Sequence, residues 1–199
     1  MDIDLDVIVT RKVTDAIQYR SVIRRSPNVN LIEVPFAESV QIARKAIVNY
    51  GTAKYVTWFD PDDELYENTL DRMIRALNDH PNAPGVLTAV DRRIPGKPLK
   101  IGNVYSFMKT PADGHMMRIF RRDWLIENKN MFDYPICEWT MTAHALVSGA
   151  IVLPFSGFCW NVGRGDHTKR TSSDIAIARA AVREIIGHKY NEIIQEIKK

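Results

Sequence analysis

The sequence predicts an α/β fold: a doubly wound sheet with flanking helices, closed by a long C-terminal helix. Three observations predict it. Short apolar, β-branched runs alternate with amphipathic helical stretches from Leu5 to Asn78. Proline or glycine (Pro27, Pro35, Gly51) stands where such segments should end. A stripe of apolar residues at helical spacing then runs from Ile175 to Ile197.

The elements follow in order. Residues 5–10 read as a buried strand rich in Val and Ile. Residues 14–25 carry Ile17, Val22 and Ile23 at helical spacing, and Pro27 stops them. Residues 30–34 form a second strand. Residues 39–50 form a helix with Val40, Ala43, Ile47 and Val48 on one face and Gly51 at its C-terminal end. Residues 55–59 make a third strand, aromatic and β-branched. Residues 68–78 make a helix with Leu70, Met73, Ile74 and Leu77 on one side. This alternation predicts parallel strands, whose ligands bind at the carboxyl ends.

The second half has shorter segments. A strand is expected over 85–90, a loop over 91–102, and further strands over 104–108 and 116–120. Helices are expected over 122–129 and 137–148, and two short strands over 150–153 and 158–162 around Pro154 and Gly157. Residues 163–173 read as a polar loop. From 174 to 199 one amphipathic helix is expected, its stripe formed by Ile175, Ala178, Val182, Ile185, Ile186, Ile193, Ile194 and Ile197. That stripe must cover the core or meet a partner chain, so an oligomer through this helix is one expectation.

The chain has 199 residues, 45% hydrophobic and 26% charged, enough to bury one core and too apolar for disorder. One domain over 1–199 is expected. The longest apolar stretch, 145–155, is interrupted by Ser148, Gly149 and Pro154, which excludes a membrane span there. The acidic N-terminus, with Asp2, Asp4 and Asp6, does not look like an export signal, and a cytoplasmic location is expected. Cys137 and Cys159 match no metal motif and read as buried apolar groups. Net charge is +3, with basic pairs at Arg11-Lys12, Arg24-Arg25, Arg92-Arg93, Arg121-Arg122 and Lys169-Arg170. This permits an anionic partner without requiring one.

Against those bases stands one acidic knot, Asp60-Pro61-Asp62-Asp63-Glu64, directly after the third strand. Carboxylates at i and i+2 of a turn can converge on a hard divalent cation, Mn²⁺ or Mg²⁺. The same acids can also serve only as the favourable N-terminal charges of the helix that follows. The knot's place at a strand's carboxyl end argues for the site.

The run YVTWFDPDDELYENTLDRMIRAL resembles the central block of family-2 glycosyltransferases with the GT-A fold. ESVQIARKAIVNYGTAKYV is similar to the family's Ala-Arg-Asn helix before that block. MMRIFRRDWLIENKNMFD resembles its acceptor-side strand and helix. EWTMTAHALVSGAIVLP is similar to its acid-bearing helix, with Gly149 eleven positions after Glu138. The resemblance spans residues 5–170.

The resemblance implies a GT-A-like doubly wound mixed sheet. It implies a nucleotide-sugar-binding half over 1–90, an acceptor-binding half over 91–170 and the C-terminal helix over 171–199. It implies a nucleoside diphosphate-sugar donor and a Mn²⁺ or Mg²⁺ cofactor. By position, Asp60 and Asp62 bind metal and diphosphate with Asp63 in support. His167 falls where a late histidine closes over the metal, and Glu138 falls where the general base stands. Thr10, Arg11, Glu33 and Arg44 fall on the donor side, and Arg118 and Arg164 are cations that offset diphosphate charge.

The chain departs from the family pattern in three places. The Pro-x-Tyr-Asn after the first strand is missing, EVPFAES replaces the acidic block after the second, and Trp139 follows Glu138 where an Asp is usual. Two other readings stand beside this one: a metal-dependent nucleotidyltransferase, and a nucleotide-binding module without turnover. Short, mildly basic members of this kind resemble those of bacteriophages, some of which glycosylate hydroxymethylated DNA bases. The resemblance therefore makes DNA one acceptor to test.

Overall fold

The computed structural model describes residues 3–11, 19–35, 44–111, 115–161 and 171–197. Eight strands form one mixed sheet in the order β2-β1-β3-β7-β5-β8-β4, with β6 added to β5. The strands are β1 (Leu5–Arg11), β2 (Val29–Pro35), β3 (Tyr55–Phe59), β4 (Glu64–Leu65), β5 (Gly85–Arg93), β6 (Lys100–Gly102), β7 (Met117–Arg121) and β8 (Ile151–Asn161). β1 runs parallel to β2 and β3, as the alternating first half predicts. β7 inserts antiparallel between β3 and β5, and β8 lies parallel to β5. The mixed sheet of the GT-A fold is therefore present.

This topology decides what meets at the functional edge. Val9 pairs with Glu33 on one side and Phe59 on the other, so β3 ends opposite Val9 and β1 runs on beside β2 through Thr10 to Arg11. Because β7 is antiparallel, its N-terminal end lies at that same edge. The residues just ahead of β7 are thereby carried to the carboxyl end of β3.

Most first-half elements form where the apolar pattern places them. Helix α1 (Tyr19–Ile23) and α2 (Thr69–Asp79) bury Tyr19, Ile23, Leu70, Met73 and Leu77 against Leu5, Val7 and Tyr55 of the sheet. Burial of such a side chain contributes roughly 1.5–3 kcal/mol. Of the expected 39–50 helix, the part before Arg44 lies outside the described residues; Ile47–Asn49 form a single 3-10 turn.

The second half corrects several expectations. Residues 104–108 are not a strand but helix α3 (Val104–Lys109). Its β-prone Val, Tyr and Phe are overruled by a capping box, in which the Asn103 side chain accepts from the Ser106 N–H at 3.1 Å and the Asn103 N–H donates to the Ser106 hydroxyl at 2.7 Å. The 91–102 loop is shorter than expected, because β5 continues to Arg93 and pairs with β6. The two short strands around Pro154 are one strand, β8, whose register to β5 shifts near Ala89, so Pro154 sits at a bulge where no ladder donor is needed. Gly157 is required there: a Cβ would meet Thr88 Oγ1 at 2.3 Å.

Helix α4 (Arg122–Glu127) leads to a 3-10 segment and then α5 (Cys137–Val147). The C-terminal helix is not continuous. It divides into α6 (Ser172–Gly187) and α7 (Tyr190–Ile197), where the Lys189 N–H folds back onto the Ile186 carbonyl at 2.8 Å. Gly187, the poorest helix former of the run, stands at that break. Ala178, Val182, Ile186 and Ile193 pack on Trp139, Ala143 and Leu146 of the same chain, so the predicted stripe covers its own core. Both cysteines are buried, as expected. No helix among the described residues is long and apolar enough to cross a membrane.

Candidate active site

β3 delivers the acidic turn. Its last residue, Phe59, is buried between Tyr19 and Phe158, which fixes where the chain leaves the sheet. Asp60 follows at the edge, and the Asp63 N–H donates back to the Asp60 carbonyl at 3.1 Å, closing a tight turn. β4 then pairs with β8, Glu64 opposite Cys159 and Leu65 opposite Phe158, so the end of β8 backs the turn. The Asn161 side-chain amide donates to the Asp62 carbonyl at 2.8 Å.

One carboxylate oxygen each from Asp60 and Asp63 and one ring nitrogen of His115 lie within 4.8 Å of one another. Adjacent oxygen or nitrogen ligands of an octahedral Mg²⁺ stand about 3 Å apart and opposite ones about 4 Å. The three groups are therefore candidate ligands for a hard divalent cation once drawn closer together. Asp63 is buried; that burial, and then the charges of Asp60 and Asp62, push its carboxyl up to about 9.

His115 lies just ahead of β7, with its ring 4.9 Å from Trp160 and 5.9 Å from Phe158, centroid to centroid. Sequence reasoning gave this histidine no role. Only the antiparallel insertion of β7 carries it to the acidic turn, and recognising that insertion would have been the signal. The grouping thus joins Asp60 and Asp63 to His115 and does not include Asp62. His167 and Arg164 lie outside the described residues.

Arg44 connects this turn to Glu138. Its Nη2 donates to both Asp60 oxygens at 2.7 and 3.0 Å, and its Nη1 donates to Glu138 Oε1 at 2.8 Å. The Arg44 side chain is 4% exposed and Glu138 is fully buried at the start of α5. Burial disfavours the charged guanidinium, but Asp60 and Glu138 outweigh it and hold its pKa above the ordinary arginine value. The guanidinium carbon lies 5.5 Å from the Trp58 ring centroid. Three residues singled out from sequence, Arg44, Asp60 and Glu138, therefore form one cluster, with Arg44 and Glu138 buried and Asp60 at its half-buried edge.

The remaining candidates are placed as follows. Thr10 is half-buried at the end of β1, one step past the Val9–Phe59 pair, and Arg11 closes the strand opposite Pro35. Glu33 accepts hydrogen bonds from the Tyr19 hydroxyl and from Arg20, whose Nε is 3.0 Å away. Arg118 is buried, donating to the Met116 carbonyl at 2.7 Å and the Thr142 hydroxyl at 2.5 Å. Arg121 and Arg122 are structural: Arg121 donates to the Leu77 and Ala83 carbonyls, and Arg122 donates to buried Asp6 at 2.8 Å. Arg93 pairs with Glu64 at 2.9 Å, and Arg92 lies 5.1 Å from the Trp160 ring. Of the basic pairs, Lys169-Arg170 and Lys12 lie outside the described residues.

A mixed sheet with flanking helices, whose third strand ends in an acidic turn, is the arrangement of a GT-A fold. The sequence profile of glycosyl transferase family 2 matches residues 10–129, and the chain belongs to that family. No curated protein matches the sequence. Among solved structures, it is similar to S. aureus TarS 1–349 in complex with UDP-GlcNAc, with a TM-score of 0.58 at 13% identity, over 92% of this chain and 66% of that one. The UDP complex of the same protein gives 0.56 at 13% identity, over 92% and 65%. TarS 1–349 described without a nucleotide gives 0.52 at 12% identity, over 79% and 60%. At these identities the likeness shows the fold, and the chain spans 60–66% of the length of those solved chains.

Proposed function

We propose that the chain transfers a sugar from a nucleoside diphosphate-sugar to an acceptor hydroxyl, with Mn²⁺ or Mg²⁺ held by Asp60, Asp63 and His115. The observation that carries this is the convergence of those three side chains at the carboxyl end of β3, in a member of glycosyl transferase family 2. The UDP-GlcNAc complex of the structurally similar TarS makes a uridine nucleotide-sugar the first donor to test.

A divalent cation bound there offsets the charge that the departing diphosphate gains. Glu138 takes the acceptor hydroxyl's proton as that oxygen attacks the anomeric carbon and the bond to the diphosphate breaks, which inverts the centre. In the structure Glu138 is buried against Arg44, so this role requires that the pair open toward the acceptor. Thr10, Arg11 and Glu33, at the ends of β1 and β2, lie on the nucleotide side. The β5–β6 hairpin beside the site carries Arg92, Lys97 and Lys100, which favours an anionic acceptor; hydroxymethylated duplex DNA is the case to test.

The experiment is a panel of nucleotide-sugars with Mn²⁺, read by the products of donor hydrolysis. Release of nucleoside diphosphate from one donor supports the reading. Pyrophosphate from a nucleoside triphosphate would instead assign a nucleotidyltransferase, and donor binding without turnover would assign a binding module.

A further inference from the structure

We propose that Arg44 is a positioning residue that couples the cation site to Glu138, so that binding at one is felt at the other. The inference rests on the reading of Asp60, Asp63 and His115 as the cation site.

Asp60 belongs to two groupings at once. It contributes an oxygen to the cluster with Asp63 and His115, and both of its oxygens accept from Arg44. Arg44 spends its other amino group on Glu138. With a cation in place the charges alternate in a row: cation, Asp60, Arg44, Glu138. Arg44 and Glu138 are almost entirely removed from water, so their interactions are weakly screened.

The signs follow from Coulomb's law. Arg44 opposes the cation directly and competes for Asp60. Glu138 takes up part of the Arg44 charge, so it supports binding through Arg44. Linkage is reciprocal: filling the cation site favours Glu138 in its ionised form, the form that accepts a proton. A residue serving only as a structural brace has a different signature, because its loss would loosen Asp60 and weaken the cation site.

The test uses Mn²⁺ alone, titrated into the chain and followed by the paramagnetic resonance of free Mn²⁺, so that no turnover is needed. Arg44→Ala is expected to bind Mn²⁺ tighter, on the order of tenfold. Glu138→Gln is expected to bind it several-fold weaker while Arg44 is present, and to change little in the R44A background. Arg44→Lys keeps the charge and is expected to restore near wild-type affinity. Should R44A alone fail to fold, because it leaves the Glu138 charge buried, the double variant R44A/E138Q carries no such charge and must bind tighter than E138Q.

Weaker or unchanged Mn²⁺ binding in R44A overturns the coupling, as does an E138Q effect that is the same with and without Arg44. Where R44A does not fold, a double variant no tighter than E138Q overturns it. Absence of saturable Mn²⁺ binding by the wild type overturns the cation site and the coupling with it. Saturable wild-type binding with no change in R44A removes the coupling alone.

Discussion

The Asn161 backbone N–H donates to Asp63 Oδ1 at 3.0 Å, joining the last residue of β8 to an acidic turn 98 positions earlier. The Asn161 side chain adds a second bond, to the Asp62 carbonyl. The end of β8 thus fixes both the buried carboxylate and the turn that carries it. Asn161→Ala keeps the first bond and removes the second, together with the bond that Asn161 Oδ1 accepts from Arg93 at 3.2 Å. It is expected to cost about 1 kcal/mol of stability, measured by urea unfolding, and to weaken Mn²⁺ binding several-fold. Unchanged Mn²⁺ affinity would show that the turn holds its shape without this amide.

Asp63 makes stability depend on pH. Its carboxyl is pushed up to about 9 in the folded chain by burial, then by Asp60 and Asp62. In the unfolded chain it titrates near the ordinary Asp value of about 3.9. Between those values the folded form holds a proton that the unfolded form lacks. This contribution is therefore complete below about 4 and is lost as the pH rises toward about 9. Melting temperature without divalent cations should fall across that window, and Asp63→Asn should flatten the fall. Added Mn²⁺ should recover stability most at the alkaline end.

Glu138→Gln preserves shape and removes the proton acceptor. Loss of a general base typically costs on the order of 10²–10⁴ in rate. Steady-state kinetics should show that loss in kcat, with a smaller change in KM for the donor. Near wild-type turnover would move the base to another carboxylate, with exposed Asp133 next in line.

For an acceptor that is duplex DNA, binding must weaken steeply with salt, because neutralised phosphates release counterions. Reversing Lys97 and Lys100 on the β5–β6 hairpin should lower affinity for hydroxymethylated duplex in a fluorescence-anisotropy titration and leave donor hydrolysis unchanged. Binding indifferent to salt would point to a small-molecule or protein acceptor.

The first half of the fold is legible because its signals are local. Strand β3 spans the residues that its aromatic, β-branched pattern marks, and α2 is displaced by a single residue. The second half is less legible where local signals conflict. Val104, Tyr105 and Phe107 favour a strand, yet Asn103 and Ser106 cap a helix. Pro154 and Gly157 look like strand breakers, yet they occupy a bulge within β8. The site divides in the same way. Asp60 and Glu138 stand out by motif, whereas the Arg44–Glu138 contact spans 94 positions and no local pattern announces it. His115 is invisible for the same reason, since only the antiparallel course of β7 brings it to Asp60.

The most direct measurement is a calorimetric titration of UDP into the wild type and into His115→Ala, each with Mn²⁺ and then with a chelator. His115 is the one member of the proposed cation site that lies outside the acidic turn, so the variant tests the cluster without touching that turn. The expected result is saturable UDP binding that requires Mn²⁺ in the wild type and weakens at least about tenfold in the variant, as loss of a ligand-shell residue commonly does. UDP binding that ignores Mn²⁺, or that His115→Ala leaves unchanged, would contradict a donor held through a cation at Asp60, Asp63 and His115.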